Sequence, residues 1–210
     1  TSFELFRRWV VSDKKILELE KATKQTELQQ LKKQINPHFL FNMLNNANIL
    51  VKDAPDEASQ ILEKLDNLLR YQLNDSTRRE VFLTADIQFL TSFLELEKVR
   101  RDHFEYTIFQ EGNMENICIP PLLFIPFVEN AVKHNLDSDN LSYVHLYFSV
   151  HNKQLTFRCE NSKPRVPVKR EGGIGLANVK RRLDLLYESR YTLQIEDKET
   201  TYNVNLHLNL

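Results

Sequence analysis

Gly172-Gly173-Ile174-Gly175-Leu176 is the most telling segment of the chain. The chain has four glycines, and three of them fall here. The segment opens a helix predicted over 174–187. Bare glycine backbone lets amide N–H groups approach a phosphate, and a helix N-terminus adds a favourable partial positive charge. No Lys-Ser/Thr pair closes the segment, which excludes a P-loop. It follows a polar loop rather than a strand, which argues against a dinucleotide-binding turn. Two readings stand at this point, a phosphate cradle and a glycine-rich hinge. The loop before it, 162–171, carries Lys163, Arg165, Lys169 and Arg170 against Glu171. It reads as a basic lid or as a solvated surface run.

Working outward, a second polar group lies on a helix predicted over 121–135. Asn130, Lys133 and His134 are spaced i, i+3 and i+4 and share one face. An amide oxygen can ligate Mg²⁺, an ammonium can meet phosphate, and an imidazole can line the same site. Glu129 is rotated off that face. The plainer alternative is the solvent face of an amphipathic helix. Around this helix the periods alternate. Short strands are predicted over 80–83, 104–109, 143–150, 155–159, 191–195 and 202–208, with a further helix over 85–101. The pattern predicts a mixed sheet with helices on one face. Residues 151–154 read as the turn of a hairpin.

Residues 13–51 read as one long helix. Leu28, Leu31 and Ile35 keep helical spacing, and the part before them reads as a weaker coiled-coil lead-in. Lys52-Asp53-Ala54-Pro55-Asp56 breaks the pattern, with Pro55 suited to a new helix start. Ala58, Ile61, Leu62, Leu65, Leu68, Leu69 and Leu73 then form a wide apolar stripe. Two helices cannot bury such a stripe alone, whereas two hairpins in a four-helix bundle can. A homodimer through residues 13–76 is therefore expected. The composition changes at residues 74–79, which divides the chain into a helical part, 1–76, and a second domain, 77–210.

Composition narrows the function classes. The 210 residues are 41% hydrophobic and 27% charged, which is globular. The net charge of -1 excludes a globally basic nucleic-acid binder. Cys118 and Cys159 form no CxxC pair, so a disulfide scaffold and a cysteine zinc site are both excluded. That usage fits the cytoplasm. No apolar run approaches the ~18–20 residues of a spanning helix. Phe3 to Val10 mixes aromatics with Arg7 and Arg8. It reads either as the frayed start of a helix or as the cytoplasmic flank of a membrane segment outside this sequence.

These motifs carry a resemblance. Asn130-Ala131-Val132-Lys133-His134, Asn161-Ser162 and Gly173-Ile174-Gly175-Leu176-Ala177-Asn178-Val179 resemble the ordered N, G1 and G2 boxes of the GHKL ATPases. Gln34-Ile35-Asn36-Pro37-His38-Phe39-Leu40-Phe41-Asn42 resembles the phospho-acceptor box of LytS-type sensor histidine kinases. Together they span roughly residues 25 to 208. The resemblance implies an α+β architecture, a dimerising helical hairpin followed by a Bergerat-type ATP-binding α/β sandwich. It implies the cytoplasmic portion of a cell-membrane sensor that phosphorylates His38 from ATP and passes the group to an aspartate of a response regulator, of LytTR type by family habit. It assigns Mg²⁺ to Asn130 and phosphate contact to Lys133. His134 would line the nucleotide, the backbone at Gly173, Gly175 and Leu176 would hold phosphates, and Asn161 would receive the adenine amino group. Asn42, one turn beyond His38, is a candidate to orient its ring.

Three departures from the resembled patterns stand out. Phe39 follows His38 where many histidine kinases have an acid, a feature that the LytS-type pattern shares. Asn161 replaces the G1 aspartate, and Lys163 takes the place of a nearby glycine. Pro126 occupies the position of the water-activating glutamate in hydrolysing relatives, which disfavours a plain ATPase. The competing reading is a nucleotide-binding dimeric interaction module that transfers poorly.

Overall fold

The computed structural model describes residues 37–135, 140–164 and 174–210, with side chains described from Phe39 and, in the last segment, from Ala177. The part of the predicted 13–51 helix before residue 37, with its coiled-coil lead-in, residues 165–171 of the basic loop, and Gly172 and Gly173 lie outside the described residues.

The hairpin is built from α1 (Pro37–Asp53) and α2 (Pro55–Leu73). Ala54 alone breaks the helical run, and Pro55 starts α2 where its missing N–H costs nothing. Ala58, Ile61, Leu65 and Leu68 turn inward, while Leu62 and Leu73 remain exposed, as do Phe41 and Leu44 of α1. A short 3₁₀ turn, Asp75–Thr77, ends the hairpin at the expected change of composition.

Beyond it, β1 (Val81–Phe82) pairs antiparallel with β3 (Cys118–Ile119). Helix α3 (Leu83–Arg100) starts directly after β1, two residues earlier than predicted. Strands β2 (Phe104–Glu111), β4 (Ser142–His151), β5 (Gln154–Ser162), β6 (Tyr191–Asp197) and β7 (Thr201–Asn209) form one sheet in the order β2-β4-β5-β7-β6. Only β2 and β4 run parallel, and helix α4 (Ile125–His134) lies in the crossover between them. The turn of the β4–β5 hairpin is Asn152-Lys153, both with positive φ, which matches the twist of the flanking strands.

One sheet face is apolar: Val144, Leu146, Phe148, Leu155, Phe157, Val204, Leu206 and Leu208 are all buried. Helices α3 and α4 pack on this face, and α5 (Ile174–Tyr187) packs on α4. Phe124 meets Phe148 edge-on at 5.2 Å and Phe157 at 4.5 Å. The result is the expected α+β sandwich with its helices on one face. The hairpin joins the same core from the other side of α3, with Phe39 against Phe93 at 5.0 Å and Tyr71 stacked on Phe89 at 4.7 Å.

One predicted helix is shorter than expected. Residues 121–124 are a turn, and α4 begins at Ile125. Leu122 takes φ 55°, outside any helix. Its backbone groups are held by residues distant in the chain, described below.

Candidate functional site

Helix α4 buries Phe127, Val128, Ala131 and Val132 and packs on β5. That burial turns Asn130 and His134 to half-exposed positions and leaves Lys133 exposed. The three share the expected face. The C-terminus of α4 is held by Arg101. Its guanidinium donates to the carbonyl oxygens of Val132 (3.4 Å) and Asn135 (3.3 Å), to Asn135 Oδ1 (3.0 Å) and to Ser142 Oγ (2.8 Å). Its face lies 4.6 Å from the Phe104 ring centroid. A cation at a helix C-terminus meets the orphan carbonyls and the negative end of the dipole. Asn135 is buried and donates Nδ2 to the Tyr143 carbonyl at 3.1 Å, tying the end of α4 to β4. Sequence reasoning missed Arg101 and Asn135. Their only local sign is a basic pair at a helix end and an asparagine after the last helical turn.

Asn161 occupies the end of β5, paired with Val144 of β4 and Tyr202 of β7. It shares the inner face with Phe157 and Cys159, as strand phase predicts, and is only 1% exposed. Its Nδ2 donates to the Ser162 carbonyl at 2.8 Å, which leaves Oδ1 as a buried acceptor with no partner among the described residues. A buried, unsatisfied amide oxygen is costly, and a donor arriving from outside removes that cost. Lys163 is not part of a loose lid. Its Nζ bonds Asp197 Oδ1 at 2.8 Å and the Lys198 carbonyl at 2.6 Å, fastening the end of β5 to the β6–β7 turn.

Glu129, next to Asn130, lines an apolar cleft with Phe39, Leu40, Leu65, Phe93 and Ile125. Burial, then the charge of Glu97, pushes its carboxyl up to about 7. Glu129 therefore faces the hairpin, as expected for a residue rotated off the Asn130 face. Cys159 offers no nucleophile, since burial pushes its thiol up to about 12. Among the described residues no three His, Cys, Asp or Glu side chains cluster to hold a metal.

His38 is the second residue of α1, and its side chain lies outside the described residues. Asn42 follows one turn later, half-buried. Gly175 and Leu176 belong to the first turn of α5.

Residues 26–104 match the family model described as histidine kinase. The chain is 30% identical over 203 residues to the sensor protein LytS of Staphylococcus haemolyticus, covering 90% of this chain and 35% of that protein. It is 31% identical over 119 residues to the sensor histidine kinase YpdA of Escherichia coli, covering 57% of this chain and 21% of that one. A histidine kinase domain of a blue-light activated kinase from Erythrobacter litoralis superposes with a TM-score of 0.48 at 17% identity, covering 90% of this chain and 93% of that one. The chain thus spans about a third or less of the length of these two curated relatives. The match to the histidine kinase model and the similarity to LytS over nine-tenths of this sequence agree, and they make the chain a homologue of LytS-type sensor histidine kinases.

Proposed function

We propose that this chain is the kinase portion of a two-component sensor, that it transfers the γ-phosphoryl group of ATP to His38, and that it hands the group to an aspartate of a response regulator. The family match supports the reaction class. The observation that carries the nucleotide reading is Asn161 Oδ1, at the end of β5 a buried acceptor without a partner among the described residues. An adenine amino group supplies the donor that this oxygen lacks.

Phosphoryl transfer needs positioning and charge neutralisation more than covalent help. The imidazole of His38 attacks the γ-phosphorus. A P–N bond forms, the bond to the bridging oxygen breaks, and ADP leaves. A neutral imidazole is well populated near pH 7 and is a competent nucleophile. Bound Mg²⁺ supplies charge neutralisation, and the Asn130 amide oxygen would ligate it. Lys133 would neutralise phosphate charge and His134 would line the nucleotide. The backbone N–H groups of Gly173, Gly175 and Leu176 would meet phosphate oxygens where α5 begins. Arg101 would keep Asn130 and Lys133 in place by holding the end of their helix. Asn42 would orient the acceptor ring.

The exposed Phe41, Leu44, Leu62 and Leu73 support a homodimer through residues 13–76, since a second hairpin would cover them. The division into 1–76 and 77–210 belongs to this reading, as does a LytTR-type regulator. Among the described residues no helix is long and apolar enough to cross a membrane. Membrane attachment through segments outside this sequence belongs to the same reading.

The amide at Asn161 favours one competitor, a nucleotide-binding module with weak transfer, because an uncharged acceptor binds the base less strongly than a carboxylate. Pro126, in the first turn of α4, has no proton-accepting side chain and speaks against a hydrolase. Incubation with γ-labelled ATP and Mg²⁺ separates the readings. The parent should acquire acid-labile, base-stable label and His38→Gln none. Nucleotide binding without label would favour the module, and steady phosphate release without label would favour the hydrolase.

A further inference from the structure

Three buried polar side chains from three helices meet at a single backbone turn. Asp86 of α3 is 0% exposed. Its Oδ1 accepts from the Tyr71 hydroxyl of α2 at 2.5 Å and from the Leu122 N–H at 2.9 Å. Arg182 of α5 is 3% exposed and donates to the Leu122 carbonyl at 2.6 Å and to the Pro121 carbonyl. Leu122 is therefore held by its N–H from one side and by its C=O from the other. Its φ of 55° is a conformation that bulky side chains rarely adopt, and such a residue persists only where its surroundings over-determine it. Three residues on, the chain enters α4, which carries Asn130, Lys133 and His134.

The two clamps reach opposite ends of the molecule's chemistry. Tyr71 belongs to the last turn of the hairpin whose first helix carries His38. Arg182 lies two turns into the helix that Ile174, Gly175 and Leu176 begin. Asp86 Oδ2 and Arg182 Nε are both buried without a hydrogen-bond partner among the described residues, and the Phe124 N–H favours the Asp86 charge. The opposite charges act on each other through the cluster. A carboxylate oxygen and a guanidinium N–H left over beside one strained peptide have a second pairing open to them, with each other.

We propose that Leu122 is a strained hinge peptide clamped by Asp86–Tyr71 and by Arg182, and that this relay couples nucleotide binding at α4 and α5 to the docking of the hairpin. Tyr71 and Arg182 are its positioning residues. Neither reaches the reacting atoms. The proposal rests on the nucleotide reading above.

The test uses the whole chain with a fluorescent ATP analogue and Mg²⁺. Tyr71→Phe removes one hydroxyl and keeps the ring on Phe89, and Arg182→Lys keeps the charge and loses the fork. Each should weaken nucleotide affinity by about 5-fold or more, the lower end of ordinary allosteric coupling. The double variant should be no weaker than the weaker single one, because both break one relay. Unchanged affinity in Tyr71→Phe, or effects that multiply, would overturn the proposal. If the parent binds no nucleotide, the nucleotide reading fails and the coupling falls with it. Amide hydrogen exchange at Leu122 then reads the clamp alone. Faster exchange in both variants, without addition in the double, supports the clamp, and unchanged protection sinks it.

Discussion

Helices α2 and α3 are neighbours of similar length, packed along each other, yet they solve burial differently. Helix α3 is apolar on most of its circumference. Leu83, Ile87, Phe89, Leu90, Phe93, Leu94 and Leu96 are all buried, because the hairpin covers one side and β2 and α4 cover the other. Helix α2 buries one stripe, Ala58, Ile61, Leu65 and Leu68, and leaves Leu62 at 45% and Leu73 at 62% exposed. The first helix belongs wholly to this chain. The second leaves apolar residues uncovered among the described residues, on the face through which the proposed dimer would form. A helix with apolar residues all round is a core element, and one with a stripe wider than its contacts is an element awaiting a surface.

The largest break in that comparison should come from the core helix. Leu90→Ala deletes a fully buried side chain between two packed layers and should cost about 3 kcal/mol of stability, the usual range for such cavities. Chemical denaturation of the two proteins measures it. A loss below about 1 kcal/mol would show that α3 is not enclosed on both sides.

Glu129 sharpens the comparison at the seam between hairpin and sandwich. Its carboxyl is raised to about 7 in the folded chain, above the ordinary carboxylate value. The folded state therefore holds a proton that the unfolded state has released, and stability falls as pH rises from about 4.5 to about 7. Glu129→Gln removes this term. It should flatten the slope over that window, with a gain of about 1–3 kcal/mol at pH 8 over pH 5 relative to the parent. Denaturation curves at the two pH values measure it, and parallel profiles would contradict it.

The smallest effect on the single chain should come from α2. Leu62→Glu should change the unfolding of dilute protein by no more than about 0.5 kcal/mol, as for other surface positions. The same variant should weaken self-association at least about tenfold, equivalent to about 1.4 kcal/mol. Sedimentation of parent and variant over a concentration series reads it. A parent that stays monomeric at every concentration would remove the bundle from the account.

The hairpin turn, the paired strands around Asn152-Lys153 and the three sandwich helices were legible in the sequence. Each is dictated by near neighbours: a period of apolar residues, a proline at a helix start, a pair of turn residues. Asn161 was legible too, because strand phase alone puts it on the inner face with Phe157 and Cys159. What was not legible is what distant residues impose. Residues 121–124 carry a helical pattern yet form a turn, because Asp86 and Arg182, 36 and 60 positions away, bind the backbone of Leu122. Strand β3, two residues long, exists only because Val81 and Phe82 lie beside it. Arg101 caps a helix 31 to 34 residues further on. Lys163 reads as part of a basic loop and is instead bound at the β6–β7 turn.

The sequence by itself determined the elements, the faces they bury and the residue types brought to the site, because hydrophobic period and backbone propensity act over one or two turns. Where each helix stops, which polar side chains are buried and which of their atoms lack partners were settled by long-range packing. Those outcomes depend on hydrogen-bond groups meeting across the core, and no local pattern records which groups will meet.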